Sequence, residues 1–262
     1  MRPDDSLLDF SAAAPRAPAT QVPPAPADWR APPAQPAVPP VHAVELGRSV
    51  GGAPLTLEVF GAGPRPVLIL GGVHGDETLG AEMARCLSSL LREDEAAAGG
   101  RSVAILAAAN PDGMAAHRRT NANGVDLNRN FPAHNWRPSA EGRRDYGGPR
   151  PASEPETRAI MRAVEGLRPA MIITIHCAGR GSPCNNYDGP AREVAVMMAA
   201  GNDYPVRASI GYPTPGSLGN WAGVDRSIPI ITLELPGGAS GAACWQRNRG
   251  ALLAAIRGGL AM

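Results

Sequence analysis

Residues 66–77 read Pro-Val-Leu-Ile-Leu-Gly-Gly-Val-His-Gly-Asp-Glu, and the run from Pro66 to Leu70 has no polar position until a glycine pair ends it. A strand with one face in water alternates apolar and polar residues, whereas an unbroken run fits a strand covered on both faces. Three more runs share this texture: Ser102 to Ala109, Ala170 to Ile175 and Ile228 to Leu235. Between and after them, helical spacing predicts helices over Thr78 to Leu91, Ser153 to Leu167, Ala191 to Asn202 and Cys244 to Ile256. Ser153, with Glu156 three residues later, has the form of a capping box and predicts a helix start. Strands alternating with helices predict an α/β fold, with three α/β/α layers and a mixed, mostly parallel central sheet. Ligands in such folds lie beyond the carboxyl ends of the strands. The long segment from Asn110 to Pro151, rich in Asn, Arg, Gly and Pro, reads as a loop region there.

Upstream, the composition changes. Residues 11–40 contain ten Pro and ten Ala and almost no aliphatic side chains, too little apolar surface to offset the entropy of ordering. A disordered Pro/Ala-rich tail is expected over residues 1–40, followed by one catalytic domain over 41–262. The segments Val41 to Val50 and Pro54 to Phe60 alternate like half-exposed strands, and Gly51-Gly52 between them signals a hairpin.

The formal net charge is +1, and the 25 basic residues, all arginine, are scattered along the chain. No footprint for nucleic acid or an anionic membrane is present, so neither is expected as a partner. No apolar run approaches the roughly 18 residues of a membrane span. Arg2 is followed by Asp4 and Asp5, and Leu7-Leu8-Asp9-Phe10 is too short and too charged for a secretory core. A soluble, cytoplasmic protein is the expectation. Cys86, Cys177, Cys184 and Cys244 form no CxxC pair and read as free thiols, with a local bridge between Cys177 and Cys184 as the alternative.

Four places in the sequence carry candidate chemistry. His74 and Glu77 stand three residues apart where a strand gives way to a helix, a spacing that sets an imidazole and a carboxylate on one side of a tight turn. Surface loops show the same pairing, so it means little alone. The apolar strand Ile172 to Ile175 then ends in His176, a third candidate ligand, and a single carboxylate, Glu234, interrupts the apolar strand Ile230 to Leu235. A buried carboxylate without a partner is costly, so Glu234 is expected to open into a site. His74, Glu77 and His176 with an open fourth position describe a catalytic zinc site, one Zn2+ per chain, with Glu234 as the base that accepts a proton from water. The donor-rich loop from Arg119 to Pro132 offers Asn128 and Arg129 as a carboxylate clamp, or else is a polar loop bonding its own backbone.

Taken together, HxxE at His74 and Glu77, NPDG at Asn110 to Gly113, RxNxxGxDLNRNFP from Arg119 to Pro132, the strand ending in His176 and TxEL at Thr232 to Leu235 resemble the zinc carboxypeptidase family. The resemblance spans roughly residues 60 to 236. It implies that Arg119 polarises the scissile carbonyl, that Asn128 and Arg129 grip the terminal carboxylate of a small peptide, and that Asp126 orients His74 from behind. Asp126 to Trp136, Asn186 to Ala191 and Gly211 to Ser217 are similar to the murein peptide amidases, which cut the γ-D-glutamyl–meso-diaminopimelate bond. That likeness implies a murein tripeptide substrate, a role in cell-wall recycling, and Tyr212 as a residue that covers the substrate. Three alternatives stay open: a carboxypeptidase for ordinary L-amino acids, an N-acyl amino acid deacylase, and a non-catalytic zinc- or peptide-binding module. Arg180 reads as a solvated loop residue, or as a partner for the extra charge of diaminopimelate. His42, His117 and His134 match no ligand position and are expected at the surface.

Overall fold

The computed structural model of the protein describes residues 42–178 and 182–258; the expected tail and Arg180 lie outside them. Eight strands form one sheet: β1 (His42–Arg48), β2 (Pro54–Phe60), β3 (Val67–Gly71), β4 (Val103–Leu106), β5 (Met171–Cys177), β6 (Cys184–Asp188), β7 (Val206–Arg207) and β8 (Ile230–Leu235). Five helices accompany them: α1 (Thr78–Glu93), the single turn α2 (Pro111–Ala115), α3 (Pro155–Leu167), α4 (Arg192–Asn202) and α5 (Gly241–Gly258). The strand order is β1-β2-β4-β3-β5-β8-β6-β7. The centre, β4-β3-β5-β8, is parallel throughout, while β1-β2, β2-β4 and β8-β6 are antiparallel. This is the three-layer, mixed α/β architecture that the continuous apolar runs predict.

Each central strand is apolar on both faces because each face meets a different layer. Ile69, Ile173 and Leu233 pack with Met83 and Leu87 of α1, Met198 of α4 and Leu252 of α5. Leu68, Leu70, Ile172 and Ile230 point the other way, toward Ile160 and Val164 of α3, Phe131 of a loop and Trp221 of the short helical segment Gly219–Val224. Phe131 and Trp221 stack with centroids 5.6 Å apart. Burying one such side chain contributes roughly 1.5–3 kcal/mol, and the two cores fix the register of every central strand.

The structure corrects several sequence expectations. The capping box does not form: Glu154 is the residue before α3, and the Ser153 hydroxyl donates to the Glu154 carboxylate and accepts from no helix amide. Glu156 is drawn away, accepting from the Val50 amide and from Asn121. The segment Asn110 to Pro151 contains a helical turn, α2, with Asn110 accepting from the Gly113 amide. Strands β6 and β7 were not foreseen; Cys-Asn-Asn-Tyr-Asp carries no apolar run, and of its two buried asparagines Asn185 bonds Asn202 and the Tyr204 carbonyl. All four cysteines are free, so Cys177 and Cys184 do not pair. His42, His117 and His134 are exposed as expected, although His134 also bonds Asp225 at 3.0 Å. No described helix is long and apolar enough to cross a membrane.

Candidate active site

The site lies where one face of the sheet stops being a core. Along that face β5 presents Ile172, Thr174 and His176, and β8 presents Ile230, Thr232 and Glu234, paired residue for residue. The antiparallel β6 completes the rows with Asp188, Asn186 and Cys184. Directly paired residues share a face and sit about 5 Å apart across the ladder, so Glu234 stands beside His176 at the carboxyl ends of the parallel strands. These polar rows floor a cleft of about 1760 Å3, walled by the loops that carry His74, Glu77, Arg119, Asn128 and Tyr212.

His74 and Glu77 come from the turn between β3 and α1. Gly72 has φ +64°, which favours glycine, and at Gly75 a Cβ would meet the Gly113 carbonyl carbon at 2.0 Å. That close approach lets the Gly75 amide donate to the Arg119 carbonyl at 3.3 Å, tying the turn to the loop behind it. Asn110 strengthens the tie by donating to the carbonyls of Val73 and Arg119.

His74 Nδ1 faces Glu77 Oε1 at 2.9 Å and His176 Nδ1 at 3.1 Å, and His176 Nδ1 faces Glu77 Oε2 at 2.9 Å. One ligand atom from each residue falls within 4.8 Å of the others. On the far side of His74, Nε2 meets Asp126 Oδ1 at 3.1 Å. The buried Asp126 carboxylate accepts only, so it assigns the proton to Nε2 and leaves the Nδ1 lone pair aimed at the cluster. Arg119 donates from Nε to Asp126 at 2.9 Å and from Nη1 to Glu77 at 3.2 Å, which fixes its guanidinium at the rim.

A scan of family models matches residues 37–182 to the zinc carboxypeptidases. The chain belongs to the zinc carboxypeptidase family. Murein peptide amidase A of Escherichia coli K12 is 36% identical over 208 residues, covering 72% of this chain and 79% of the relative. The crystal structure of the murein-tripeptide amidase of Escherichia coli O157 superposes with a TM-score of 0.67 at 32% identity, covering 84% of this chain and 93% of that one. The human carboxypeptidase N catalytic chain is 33% identical over 168 residues, covering 50% of this chain and 36% of the relative.

The chemistry of the donors suits the zinc this family implies. Burial disfavours a charged His74, yet the carboxylates of Glu77 and Asp126 outweigh it and lift its pKa to about 9. Burial also opposes the charge on Glu77, but His74 and His176 hold its carboxyl well below the ordinary range. Two ring nitrogens 3.1 Å apart, both turned toward one carboxylate, make a pocket that calls for a cation. Two imidazoles and a carboxylate are a common donor set for catalytic zinc. Burial pushes the Cys177 thiol up to about 12 and the Cys184 thiol up to about 11, with Glu234 adding to both, so neither competes as a thiolate ligand.

The remaining candidate residues are also at the cleft. Burial raises the Glu234 carboxyl above its ordinary value, His176 working against this and Glu77 with it. Asn128 accepts the Leu218 amide through Oδ1 at 2.9 Å, which turns its amide NH2 away from that bond and leaves it available for a ligand. Arg129 is anchored by donation to the Asn128 carbonyl at 2.6 Å and lines the cleft. Tyr212 is 57% exposed at the cleft mouth. Sequence reasoning missed the floor residues Asn186, Asp188 and Arg207. Every second residue of Cys184-Asn185-Asn186-Tyr187-Asp188 faces the cleft, so the available signal was a period of two hidden in a polar segment.

Proposed function

We propose that this zinc carboxypeptidase hydrolyses the amide bond between the γ-carboxyl of D-glutamate and meso-diaminopimelate in murein tripeptides, as a cytoplasmic step of cell-wall recycling. One observation carries the choice over removal of ordinary L-amino acids. The likeness to the murein peptide amidases extends over far more of the chain than the likeness to carboxypeptidase N. His74, Glu77 and His176 would hold one zinc ion per chain. When bound, the metal supplies a Lewis acid that polarises oxygen and lowers the pKa of water toward about 7.

The chain's own groups do the rest. Arg129 and the free amide of Asn128 take the carboxylate beside the scissile bond, which sets that bond over the cluster. Arg119, immobilised by Asp126 and Glu77, donates toward the carbonyl oxygen as negative charge develops there. Glu234 accepts the proton of the attacking water and delivers it to the departing amine, which leaves as diaminopimelate. Its raised pKa makes it a stronger base than a solvated glutamate. Tyr212 covers the substrate from the mouth.

The experiment is digestion of L-alanyl-γ-D-glutamyl-meso-diaminopimelate by zinc-replete protein, followed by mass spectrometry. Free diaminopimelate and the alanyl-glutamate dipeptide are expected. Turnover of blocked L-dipeptides without cleavage of the tripeptide replaces this reading with the ordinary carboxypeptidase.

A further inference from the structure

Arg119 bonds Asp126 at 2.9 Å, yet neither residue sits in a helix or strand, so the loop between them must be held another way. It closes on Asn121. The Asn121 backbone amide donates to the Val125 carbonyl at 2.9 Å, and the side-chain oxygen of Asn121 accepts the backbone amides of Asn123 and Val125, both at 3.1 Å. Inside the turn Gly124 has φ +73°, which favours glycine. Arg119 stands just before the neck of this small ring and Asp126 just after it.

The nitrogen end of the Asn121 side chain points out of the ring, toward the start of α3. Its NH2 donates to Glu154 Oε2 at 2.8 Å and to Glu156 Oε2 at 3.0 Å. Glu154 takes a second bond from the Asn123 side chain at 2.8 Å, and its backbone amide donates to Asn130 Oδ1 at 3.2 Å, just beyond Asn128 and Arg129. Asn121 and Glu156 have no exposed surface, and Glu154 is 2% exposed. Neither carboxylate forms an ion pair among the described residues. Burial raises the Glu156 carboxyl, the bonds from Val50 and Asn121 working against this and Glu154 with it. Two buried carboxylates on one amide, without a cation, are costly for stability alone. What they supply is polarity. Carboxylates only accept and backbone N–H groups only donate, so a flipped Asn121 would set oxygen against both carboxylates and NH2 against both N–H groups. The amide has one orientation, and the loop one setting.

Resting on the function proposed above, we propose that Asn121, Glu154 and Glu156 are positioning residues for the hydrolysis, acting through Arg119 and Asp126. By fixing the neck of the loop they hold the Arg119 guanidinium where charge develops on the carbonyl oxygen. They also hold the Asp126 carboxylate where it orients the His74 ring. None of the three lines the cleft, so none touches substrate. The carboxylate clamp has anchors of its own, Asn128 on the Leu218 amide and Asn130 on the Glu154 backbone, which these side chains do not supply.

The test reverses the polarity of this bracket. Asn121→Asp sets a third carboxylate against Glu154 and Glu156. The triple variant, Asn121→Asp with Glu154→Gln and Glu156→Gln, lets two amides donate to one carboxylate in the same shape. Activity is measured at saturating zinc on whichever peptide the wild type cleaves, murein tripeptide or blocked L-dipeptide, so the choice of substrate is tested separately. The single variant is expected to lose about tenfold to 100-fold in kcat, the scale of a displacement near ~1 Å. KM should stay unchanged, as when an interaction made only in the transition state is lost. In chelator competition zinc should bind about tenfold more weakly as Asp126 moves. The triple variant should recover most of both losses, the mark of direct coupling. Where Asn121→Asp fails to fold, Glu156→Gln is measured in its place: both Glu156 oxygens accept, so an amide there must turn NH2 on a donor. A lowered unfolding midpoint with kcat and zinc affinity at wild-type values overturns the proposal. So does a triple variant as impaired as the single one. A wild type that cleaves neither peptide overturns the function, and the zinc competition then decides the positioning, unchanged affinity in the single variant overturning it.

Discussion

Two knots of buried polar side chains lie on opposite faces of the sheet, and they end differently. On the face of α4 and α5, Asn185 and Asn202 exchange a reciprocal pair of hydrogen bonds at 3.0 Å, Asn202 donates on to Asn248, and Asn248 donates to the Cys244 carbonyl at 2.9 Å. The Tyr204 amide takes up the remaining Asn202 acceptor. Donors and acceptors match, and no atom of the three asparagines is orphaned. On the other face, His74, Glu77 and His176 crowd lone pairs and charge around one point, and His176 Nε2 bonds nothing. A polar network that closes on itself specifies packing; one with surplus acceptors is built to receive something.

Several measurements can break or sharpen this contrast. The largest effect is expected from His176→Ala, which should lose zinc by metal analysis and reduce turnover to background; full metal occupancy would remove His176 from the centre. Dialysis of the wild-type protein against a chelator should do the same reversibly, and zinc at about 100 times its Kd should restore roughly 2.7 kcal/mol of stability in thermal unfolding. Next is Glu234→Ala, expected to keep zinc and lose about 10²–10⁴-fold in kcat, the usual worth of a positioned acid-base group. Because burial raises the Glu234 carboxyl, its basic form appears only as pH rises through that raised value. The acid limb of kcat/KM should therefore lie above the 4.5 of an ordinary glutamate and disappear in Glu234→Ala. Asp126→Asn should weaken zinc by about 10–100-fold in a chelator competition, since an amide cannot hold the His74 ring in the same way. The smallest effect on activity belongs to the asparagine knot. Asn202→Ala should cost about 1–3 kcal/mol in denaturant unfolding by orphaning its partners, while zinc content and kcat stay within about twofold of wild type, as for distant, independent sites. A folded Asn202 variant with kcat collapsed would erase the distinction between the two knots.

What the sequence made legible follows from where the physics is local. Continuous apolar runs announced β3, β4, β5 and β8, and an abrupt His or Glu at their ends announced the cluster, because covering both faces of a strand leaves no other place for such residues. Strand β6 stayed hidden for the opposite reason: Asn185 is buried by bonding Asn202 and Asn186 by facing the cleft, neither of which leaves an apolar trace. The failed capping box has the same cause. Glu156 is committed to Val50 and Asn121, which precede it by 106 and 35 positions, and local pattern cannot register that competition. The floor row Thr174-Thr232-Asn186-Arg207 exists only once the strand order is known.

The pleat that separates the two knots has an evolutionary consequence. Odd-numbered residues of β8 and even-numbered residues of β6 serve different masters: Ile231, Leu233 and Leu235 belong to the core shared with α1, α4 and α5, while Cys184, Asn186 and Asp188 line the cleft. Exchanges among the latter leave the helix-bearing layer untouched, so a lineage can drift from one leaving group to another without first acquiring spare stability. A single-residue slip of β8 does the reverse, driving Glu234 into the oily layer and Leu233 into the cleft. Novelty in this scaffold is inexpensive by substitution and nearly forbidden by insertion.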